Sequence, residues 1–327
     1  MIDRLDRLAR RQLNLATYHQ LATAGIPSGT ITGRARPGGP WQRLLPRVYL
    51  LQTGPPTRHQ RALSAVLYAA APSTDPLAGT TAALTGGAAL TLLGVRGASA
   101  TPVDVLVNAP RTVTNKGYVR TLSTRRWPPT ITVSGIPSTR PIRAAADFAA
   151  RTDDADTLRS VLASVVQSGW CHPVDLHQEL RSARALANPA VRDAASELLA
   201  GVRSIAEGQA RDALSSAAIP DPLWNPRLFT VEGEFLATPD GYWPEAGVVL
   251  EIDSAEYHYS REGWQATLRR RLRLESHGLL VVSATPAMVR DTPGQVIAAI
   301  RAMLNLGQAR REPLRLVVRA QSQGRLW

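Results

Sequence analysis

The sequence predicts a multidomain protein of mixed α+β and α/β class, and three observations lead to this fold class. The chain has 327 residues, 44% of them hydrophobic, and a single core usually stops growing at roughly 250–300 residues. Residues 15–51 alternate helical apolar patterns with glycine and proline turns. Residues 228–254 instead show extended runs with period-two alternation. We expect an N-terminal helical unit, a mixed middle domain and a C-terminal α/β domain.

Several classes of protein are disfavoured by composition. No apolar run approaches the roughly 18–20 residues needed to span a bilayer, and the charged N-terminus lacks the apolar core of a signal peptide. The single cysteine, Cys171, cannot form an internal disulfide and makes a cysteine-ligated metal site implausible. The sequence therefore predicts a cytoplasmic protein with no membrane partner.

Charge is distributed unevenly along the chain. Residues 1–130 contain sixteen lysines or arginines and four acidic residues, so they carry the whole net charge of +12. The remaining residues hold 22 basic and 22 acidic side chains and balance. Codon bias explains a preference for arginine over lysine, but it does not explain the shortage of acids. The N-terminal part is therefore predicted to bind a polyanion, with double-stranded DNA as the expected partner.

The first 55 residues follow the order helix, turn, helix, hairpin. Residues 15–24 have a helical pattern ended by Gly25, and Ser28 is expected to cap a second helix. Residues 37–40 break that helix, and residues 41–51 form two short apolar runs hinged near Arg47. This order is typical of a winged helix-turn-helix DNA-binding domain, here residues 1–55.

This region resembles the N-terminal winged-helix domain of AbiE-type (type IV) antitoxins. The matching residues are Leu21, Gly25, Ile26, Ile31, Arg34, Arg43, Leu44, Val48 and Tyr49. Arg47 stands where the family usually has the turn glycine. By position in such a domain, Thr30, Arg34 and Arg36 are expected to face DNA, and Arg43 and Arg47 to contact its backbone. The alternative is that these arginines only solvate a small helical domain.

Residues 56–200 are expected to form a mixed middle domain without a catalytic constellation. Two helical stretches, 59–71 and 79–93, precede a strand at 103–107, and a helix follows that Ser138 or Thr139 is expected to cap. The region is similar to the one that follows the winged helix in the same antitoxin-like proteins. The matching residues are Gly135, Ile136, Pro137, Ala146 and Asp147. The acidic residues at 153–156 are expected to lie at the start of a helix. His172 and His177 are expected to be capping or surface residues.

The last third carries the candidate chemistry, a set of carboxylates. A helix over 204–215 is expected to begin with Ser204 as its cap, which places Glu207 at capping-box spacing. A hairpin with its turn at residues 244–247 follows, and its second strand directs Glu251 and Asp253 to one face. If the turn centres between residues 245 and 246, Asp240 lies directly opposite Glu251.

Two opposed carboxylates repel each other, and a fold tolerates them when a cation lies between them or one of them holds a proton. Oxygen ligands converging on one point suit Mg²⁺ or Mn²⁺. Such an ion activates water for phosphodiester hydrolysis. Pro239 and Asp240, followed after ten residues by Glu251 and Asp253, have the spacing of the PD-(D/E)XK nucleases.

The similarity extends over residues 201–307, which resemble the very-short-patch-repair-like (Vsr-like) endonuclease domains. The resemblance implies a restriction-endonuclease-like α/β fold for this segment, and residues 308–327 are expected to form a tail. The matching residues are Glu207, Leu214, Ile219, Pro220, Asn225, Asp240, Trp243, Pro244, Glu245, Glu251, Asp253, His258, Arg270, Gly278, Val282, Thr285 and Pro286. The resemblance implies metal ligation by Asp240 and Glu251, supported by Glu207. It also implies that His258 acts as general base or phosphate ligand, and that Arg269 and Arg270 hold phosphates. Asp253 occupies the place of the superfamily lysine.

Two hypotheses follow from these patterns. The first is a Mg²⁺- or Mn²⁺-dependent DNA endonuclease delivered to duplex DNA by its winged helix. The second is a non-catalytic transcriptional regulator or type IV antitoxin-like protein with a degenerate nuclease fold. An RNA-directed nuclease is a third reading, but a winged helix usually reads duplex DNA. A homodimer and a cognate toxin partner are left open.

Overall fold

The computed structural model describes residues 2–72, 74–252, 261–310, 314 and 316–319. The chain divides into two compact units, residues 1–196 and residues 197–327. Both contain helices and β-sheets, several of them mixed or antiparallel. The predicted mixed α+β multidomain class is thus confirmed at this level.

The first unit begins with helices around a small antiparallel sheet. Its elements are α1 (Ile2–Arg11), β1 (Leu15–Thr17), α2 (Tyr18–Thr23), α3 (Ser28–Arg34), β2 (Gln42–Leu45), β3 (Val48–Leu50) and α4 (Arg58–Ala69). The strand order is β1-β3-β2. Leu21 of α2, Ile31 of α3 and Tyr49 of β3 share one buried cluster, so the two helices pack on this sheet. The predicted helix–turn–helix–hairpin order is present.

Two local predictions in this region were wrong. Residues 15–24 do not form one helix, because Leu15 to Thr17 pair with β3, where Leu15 lies opposite Leu50. Thr17 instead caps α2, since its hydroxyl accepts a hydrogen bond from the backbone N–H of Gln20. Ser28 is not a cap either, because Pro27 occupies the N-cap position of α3 and no side chain bonds there.

The second half of this unit is built on a five-stranded sheet. Its elements are β4 (Ala82–Leu84), α5 (Gly86–Leu92), β5 (Val103–Asn108), β6 (Val119–Thr124), β7 (Thr130–Val133), β8 (Ile136–Thr139), α6 (Pro141–Ala149), α7 (Ala155–Gln167) and α8 (Pro173–Ser182). The strand order is β6-β5-β4-β8-β7, with β5 parallel to β6 and β4 parallel to β8. The predicted helix at 59–71 and strand at 103–107 are confirmed by α4 and β5.

Helix starts in the same half were predicted with mixed success. Residues 79–93 are not one helix but β4 followed by α5. Ser138 and Thr139 do not cap α6, because both are fully buried in β8 and Arg140 occupies the N-cap position. Asp154 does cap α7, and His172 caps α8 by accepting from the Val174 N–H, as expected.

Helix α9 (Pro189–Ser216) is continuous over 28 residues. The division between the two units falls within it, at residues 196 and 197. The predicted helix over 204–215 is therefore confirmed, but Ser204 lies inside α9 and does not cap it. No helix in the described ranges combines the length and apolar character needed to cross a bilayer.

The second unit contains two sheets. Its further elements are β9 (Leu223–Trp224), β10 (Arg227–Phe229), β11 (Phe235–Ala237), β12 (Gly241–Trp243), β13 (Val248–Ile252), α10 (Arg261–Ser276), β14 (Leu280–Ala284), α11 (Pro286–Asp291), α12 (Pro293–Gln308) and β15 (Val317–Arg319). One sheet has the order β14-β13-β12-β9, with β13 parallel to β14, and the other has the order β11-β10-β15. The segment from residue 228 to the turn, predicted as one arm of a hairpin, instead forms the three short strands β10, β11 and β12, which belong to two sheets.

Strand β13 is buried on both faces, and its alternation sorts the core into two clusters. Val248, Leu250 and Ile252 contact one cluster, which includes residues of α9 and α12. Val249 lies in the other cluster with Leu274 of α10. The predicted alternation is confirmed, and it places Glu251 on the side of α10.

Candidate functional site

The candidate site begins where β12 and β13 pair. The observed pairs are Gly241 with Leu250, Tyr242 with Val249 and Trp243 with Val248, which confirms the predicted register. The turn closes through a 2.9 Å hydrogen bond from the Gly247 N–H to the Trp243 carbonyl, with Gly247 at φ +62°. This backbone conformation favours glycine, because a glycine residue has no Cβ atom to clash with the backbone.

Asp240 and Glu251 lie one position beyond the last of these pairs, and both are buried. Their exposed fractions are 9% and 6%. The Asp240 Oδ2 accepts a 2.6 Å hydrogen bond from the backbone N–H of Ile252. This bond stabilises the carboxylate in a buried position and fixes its direction toward β13.

Glu251 has a cationic partner from another element. The Arg270 Nη2 on α10 lies 2.7 Å from the Glu251 Oε1, and the Glu251 side chain is only 8% exposed. The same Nη2 donates a 2.9 Å hydrogen bond to the carbonyl of Thr238, two residues before Asp240. Because a buried charge is costly unless paired, Arg270 stabilises the ionised form of Glu251.

Glu207 is connected to Asp240 through Asn225. The Asn225 side-chain amide donates a 3.4 Å hydrogen bond to the Glu207 Oε2, and its backbone N–H donates a 3.0 Å bond to the Asp240 carbonyl. Asn225 has φ +51°, a left-handed conformation that asparagine tolerates better than most residues. Sequence reasoning gave Asn225 no role beyond its place in a motif.

Arginines of α10 line a cavity, and one of them, Arg270, also contacts Glu251. The cavity measures about 470 Å³, and Arg269, Arg270 and Arg273 face residues 235–238 across it. Arg271 of the same helix is instead paired with Glu275 at 2.8 Å. The predicted phosphate-binding pair, Arg269 and Arg270, is therefore brought together, and Arg273 joins it because it lies one turn further along the helix. Residues 235–238 were not anticipated, since they reach the cavity from another strand.

Both predicted metal ligands, Asp240 and Glu251, are among the described residues, but two other predicted site residues are not. Asp253 and His258 lie outside the described residues. Within the described ranges, no three His, Cys, Asp or Glu side chains form a group that could hold a metal ion. Asp240 and Glu251 nevertheless fit Mg²⁺ or Mn²⁺ by ligand type, because both ions prefer carboxylate oxygens. Arg270 would compete with such an ion for the Glu251 Oε1.

Tyr242 lies on the same side of the sheet as these groups. It belongs to the cluster that contains Val249 and Leu274. Burial raises the pKa of its phenol, and the positive charge of Arg310 partly opposes this effect. The phenol therefore stays neutral at physiological pH and adds no negative charge near the two carboxylates.

The residues of the first unit that were predicted to contact DNA differ in exposure. Thr30, Arg34, Arg36 and Arg43 are exposed, and the Arg34 guanidinium lies 5.1 Å from the ring centroid of Trp41. Arg47 is half-buried. Its Nη2 donates to the carbonyls of residues 68 and 70, at 2.9 and 3.4 Å. These bonds at the end of α4 argue against the phosphate contact expected of Arg47.

No protein-family model and no curated protein matches this chain. Its resemblance to AbiE-type antitoxins and Vsr-like nucleases therefore stays a prediction from motif residues.

Proposed function

We propose that the protein binds duplex DNA and hydrolyses phosphodiester bonds in its second unit with the help of a divalent cation. One observation carries the proposal. Two buried carboxylates, Asp240 and Glu251, lie on one side of neighbouring strands, and Arg270, which contacts Glu251, also lines an arginine-rich cavity. Carboxylates beside guanidinium groups are the arrangement that a metal-assisted reaction on a phosphate needs.

The side chains divide this chemistry between them. When bound, Mg²⁺ or Mn²⁺ lowers the pKa of a water molecule and neutralises charge that develops on the phosphate. Asp240 and Glu251 would hold the ion, and Arg269 and Arg270 would bind phosphate oxygens. Glu207 orients the start of β12 through Asn225. Asp253, as a catalytic member of the acidic cluster, and His258, as general base or phosphate ligand, stay part of the proposal.

The first unit would deliver the protein to DNA. The α2–turn–α3 segment and the β2–β3 hairpin have the order of a winged helix-turn-helix. Thr30 and Arg34 lie on the exposed side of α3, and Arg43 lies on the hairpin. The surplus of basic residues before residue 130 supports a polyanionic partner. A cytoplasmic location belongs to the same proposal.

A second candidate function is a non-catalytic DNA-binding regulator of antitoxin-like type. The ion pair between Arg270 and Glu251 favours it, because a side-chain cation already neutralises one of the two carboxylates. A nuclease fold that retains its arginines and loses metal binding would still hold DNA. Both candidates predict DNA binding, and they differ in cleavage.

A nicking assay separates the two candidates. Purified protein is incubated with supercoiled DNA in Mg²⁺ or Mn²⁺, alongside Asp240→Ala and Glu251→Gln. The nuclease proposal expects nicking that both variants abolish and that the chelator EDTA prevents. Arg271→Gln is the matched control, because this exposed arginine pairs with Glu275 on the same helix and should nick normally.

Two results would contradict the nuclease proposal. Wild-type protein that binds duplex DNA without nicking it in either metal would favour the regulator. Nicking that persists in both carboxylate variants would place the activity elsewhere in the chain or in a contaminant.

A further inference from the structure

The outer face of the small sheet β11-β10-β15 combines arginines with aromatic rings. Leu228, Leu236 and Val318 point inward and join the core. Arg227 and Arg319 lie on the opposite face, where both are exposed. Alternation along these strands therefore produces an apolar inner face and a basic, aromatic outer face.

Two phenylalanines form the centre of this outer face. The rings of Phe229 and Phe235 meet edge to face, with centroids 5.5 Å apart. Phe229 is 7% exposed, whereas Phe235 is 43% exposed. The Arg227 Cζ lies 5.3 Å from the Phe229 centroid and 5.5 Å from the Phe235 centroid. Phe235 thus presents an accessible ring beside a guanidinium plane.

The two arginines of this face are directly opposed. Arg227 pairs with Arg319 in the register between β10 and β15. The Arg319 Cζ lies 4.8 Å from the Phe229 centroid, so both guanidinium groups approach one ring. Like charges directly opposite on neighbouring strands destabilise a sheet. Neither arginine forms an ion pair with a carboxylate in the described ranges. An anion bridging them would relieve this repulsion.

Phe235 also connects this face to the cavity of α10. It lines the cavity together with Arg269, Arg270 and Arg273. The exposed ring of Phe235 is therefore near Arg227 and also shares a cavity with the arginines of α10, of which Arg270 contacts Glu251. The turn between β10 and β11 carries Glu232 and Glu234, both outside the strands.

We propose that this face binds a single-stranded segment of nucleic acid, with one base stacked on Phe235 and phosphates on the flanking arginines. An unpaired base exposes the flat surface that an aromatic ring can cover, whereas a base in duplex DNA is already stacked on its neighbours. Guanidinium groups on both sides of the ring match the alternation of phosphates and bases along a strand. The inference rests on the proposed function only in placing that strand beside the carboxylates.

Binding is tested on the full chain in EDTA, so that cleavage plays no part. Three labelled probes are compared: oligodeoxythymidylate, an abasic strand of equal length, and a duplex of equal length. Phe235→Leu keeps an apolar side chain but removes the ring. We expect it to lower affinity for oligodeoxythymidylate roughly 5- to 100-fold, in line with the loss of one stacked base, and to leave the abasic strand unaffected.

The arginines and the fold are controlled separately. The double variant Arg227→Gln and Arg319→Gln should lower the affinity for oligodeoxythymidylate and for the abasic strand alike, because both strands carry phosphates. Arg271→Gln is the matched control on the surface of α10 and should bind as wild type does. Circular dichroism and the unfolding midpoint verify that each variant is folded. Phe235→Trp should retain binding.

Several outcomes would overturn the inference. If Phe235→Leu leaves the affinity for oligodeoxythymidylate unchanged, no base stacks on Phe235. The same conclusion follows if this variant lowers the affinity for the abasic strand equally. A duplex that binds as tightly as the single strand and responds equally to Phe235→Leu would assign the face to duplex DNA. Polyglutamate that displaces oligodeoxythymidylate with the same sensitivity to the variants would assign it to an acidic protein segment. Nicking of DNA without any of these effects would leave the proposed function standing and this inference refuted.

Discussion

Arg270 shows how one side chain can determine the state of a buried acid. Its guanidinium contacts both the Glu251 carboxylate and the Thr238 carbonyl, on the two chain segments that carry the carboxylates. The arginine side chain is 42% exposed, so solvent screens part of the interaction. Glu251, in contrast, is almost fully buried and depends on charge-assisted contacts.

Replacing Arg270 by glutamine should therefore destabilise the second unit. We expect a loss of about 1–2 kcal/mol in the free energy of unfolding, because a buried carboxylate loses its cationic contact while part of that contact was already screened. Arg271→Gln is the control and should change stability by less than about 0.5 kcal/mol, as exposed substitutions usually do. Denaturant titration measures both. Combining Arg270→Gln with Glu251→Gln should cost less than the sum of the single changes, and full additivity would contradict the pairing.

Helix ends illustrate the element scale, because caps depend on backbone position as well as residue type. Thr17 directly precedes α2, and Ser28 is the first residue of α3. Thr17 bonds reciprocally with Gln20, at 3.2 Å from the Gln20 N–H to the hydroxyl and 2.9 Å from the Thr17 N–H to the Gln20 side chain. Ser28 makes no such bond, since α3 begins one residue earlier than a serine cap requires.

This difference predicts unequal effects of two alanine substitutions. Thr17→Ala should lower the free energy of unfolding by about 0.5–2 kcal/mol, because the N–H of Gln20 loses its acceptor. Ser28→Ala should be nearly neutral, since the hydroxyl caps nothing, and Thr17→Ser should retain most of the stability. Thermal unfolding of the three variants gives the comparison. A larger loss for Ser28→Ala than for Thr17→Ala would contradict these cap assignments.

At the scale of the whole molecule, charge separates the N-terminal part of the chain from the rest. Residues 1–130 hold all of the net charge of +12. The exposed arginines of α3 and its flanks project that charge outward, while Arg47 directs its guanidinium to carbonyls at the end of α4. Arginines close in sequence thus have different partners.

The salt dependence of DNA binding should reveal this difference. Under the proposed function, the logarithm of duplex affinity falls linearly with the logarithm of salt concentration, because phosphate contacts release counterions. Arg34→Gln and Arg36→Gln should each reduce the slope by about 1. Arg47→Gln should leave the slope unchanged and lower the unfolding midpoint. Fluorescence anisotropy at several salt concentrations tests this, and a slope that only Arg47→Gln alters would reverse the assignment.

Long-range contacts limited what could be predicted. The sequence placed Arg270 on a helix but could not say that its partner is Glu251, because nineteen positions separate the two. The strand at Leu15 was missed for the same reason, since its partner Leu50 is far away along the chain. The true start of α9 was missed because an apolar pattern continues through Ser204 without a break.

The sequence by itself determined the pairing that brings Asp240 beside Glu251. A turn centred between residues 245 and 246 and a strict alternation through β13 predict the register that the structure shows, and both features depend on residues a few positions apart. Only the tertiary structure decided what surrounds the pair. Packing of α10 against β11 and β14 brings Arg270 to Glu251, and it places the exposed ring of Phe235 in one cavity with the arginines of this helix. Such contacts arise from burial of distant apolar residues, which local sequence patterns do not encode.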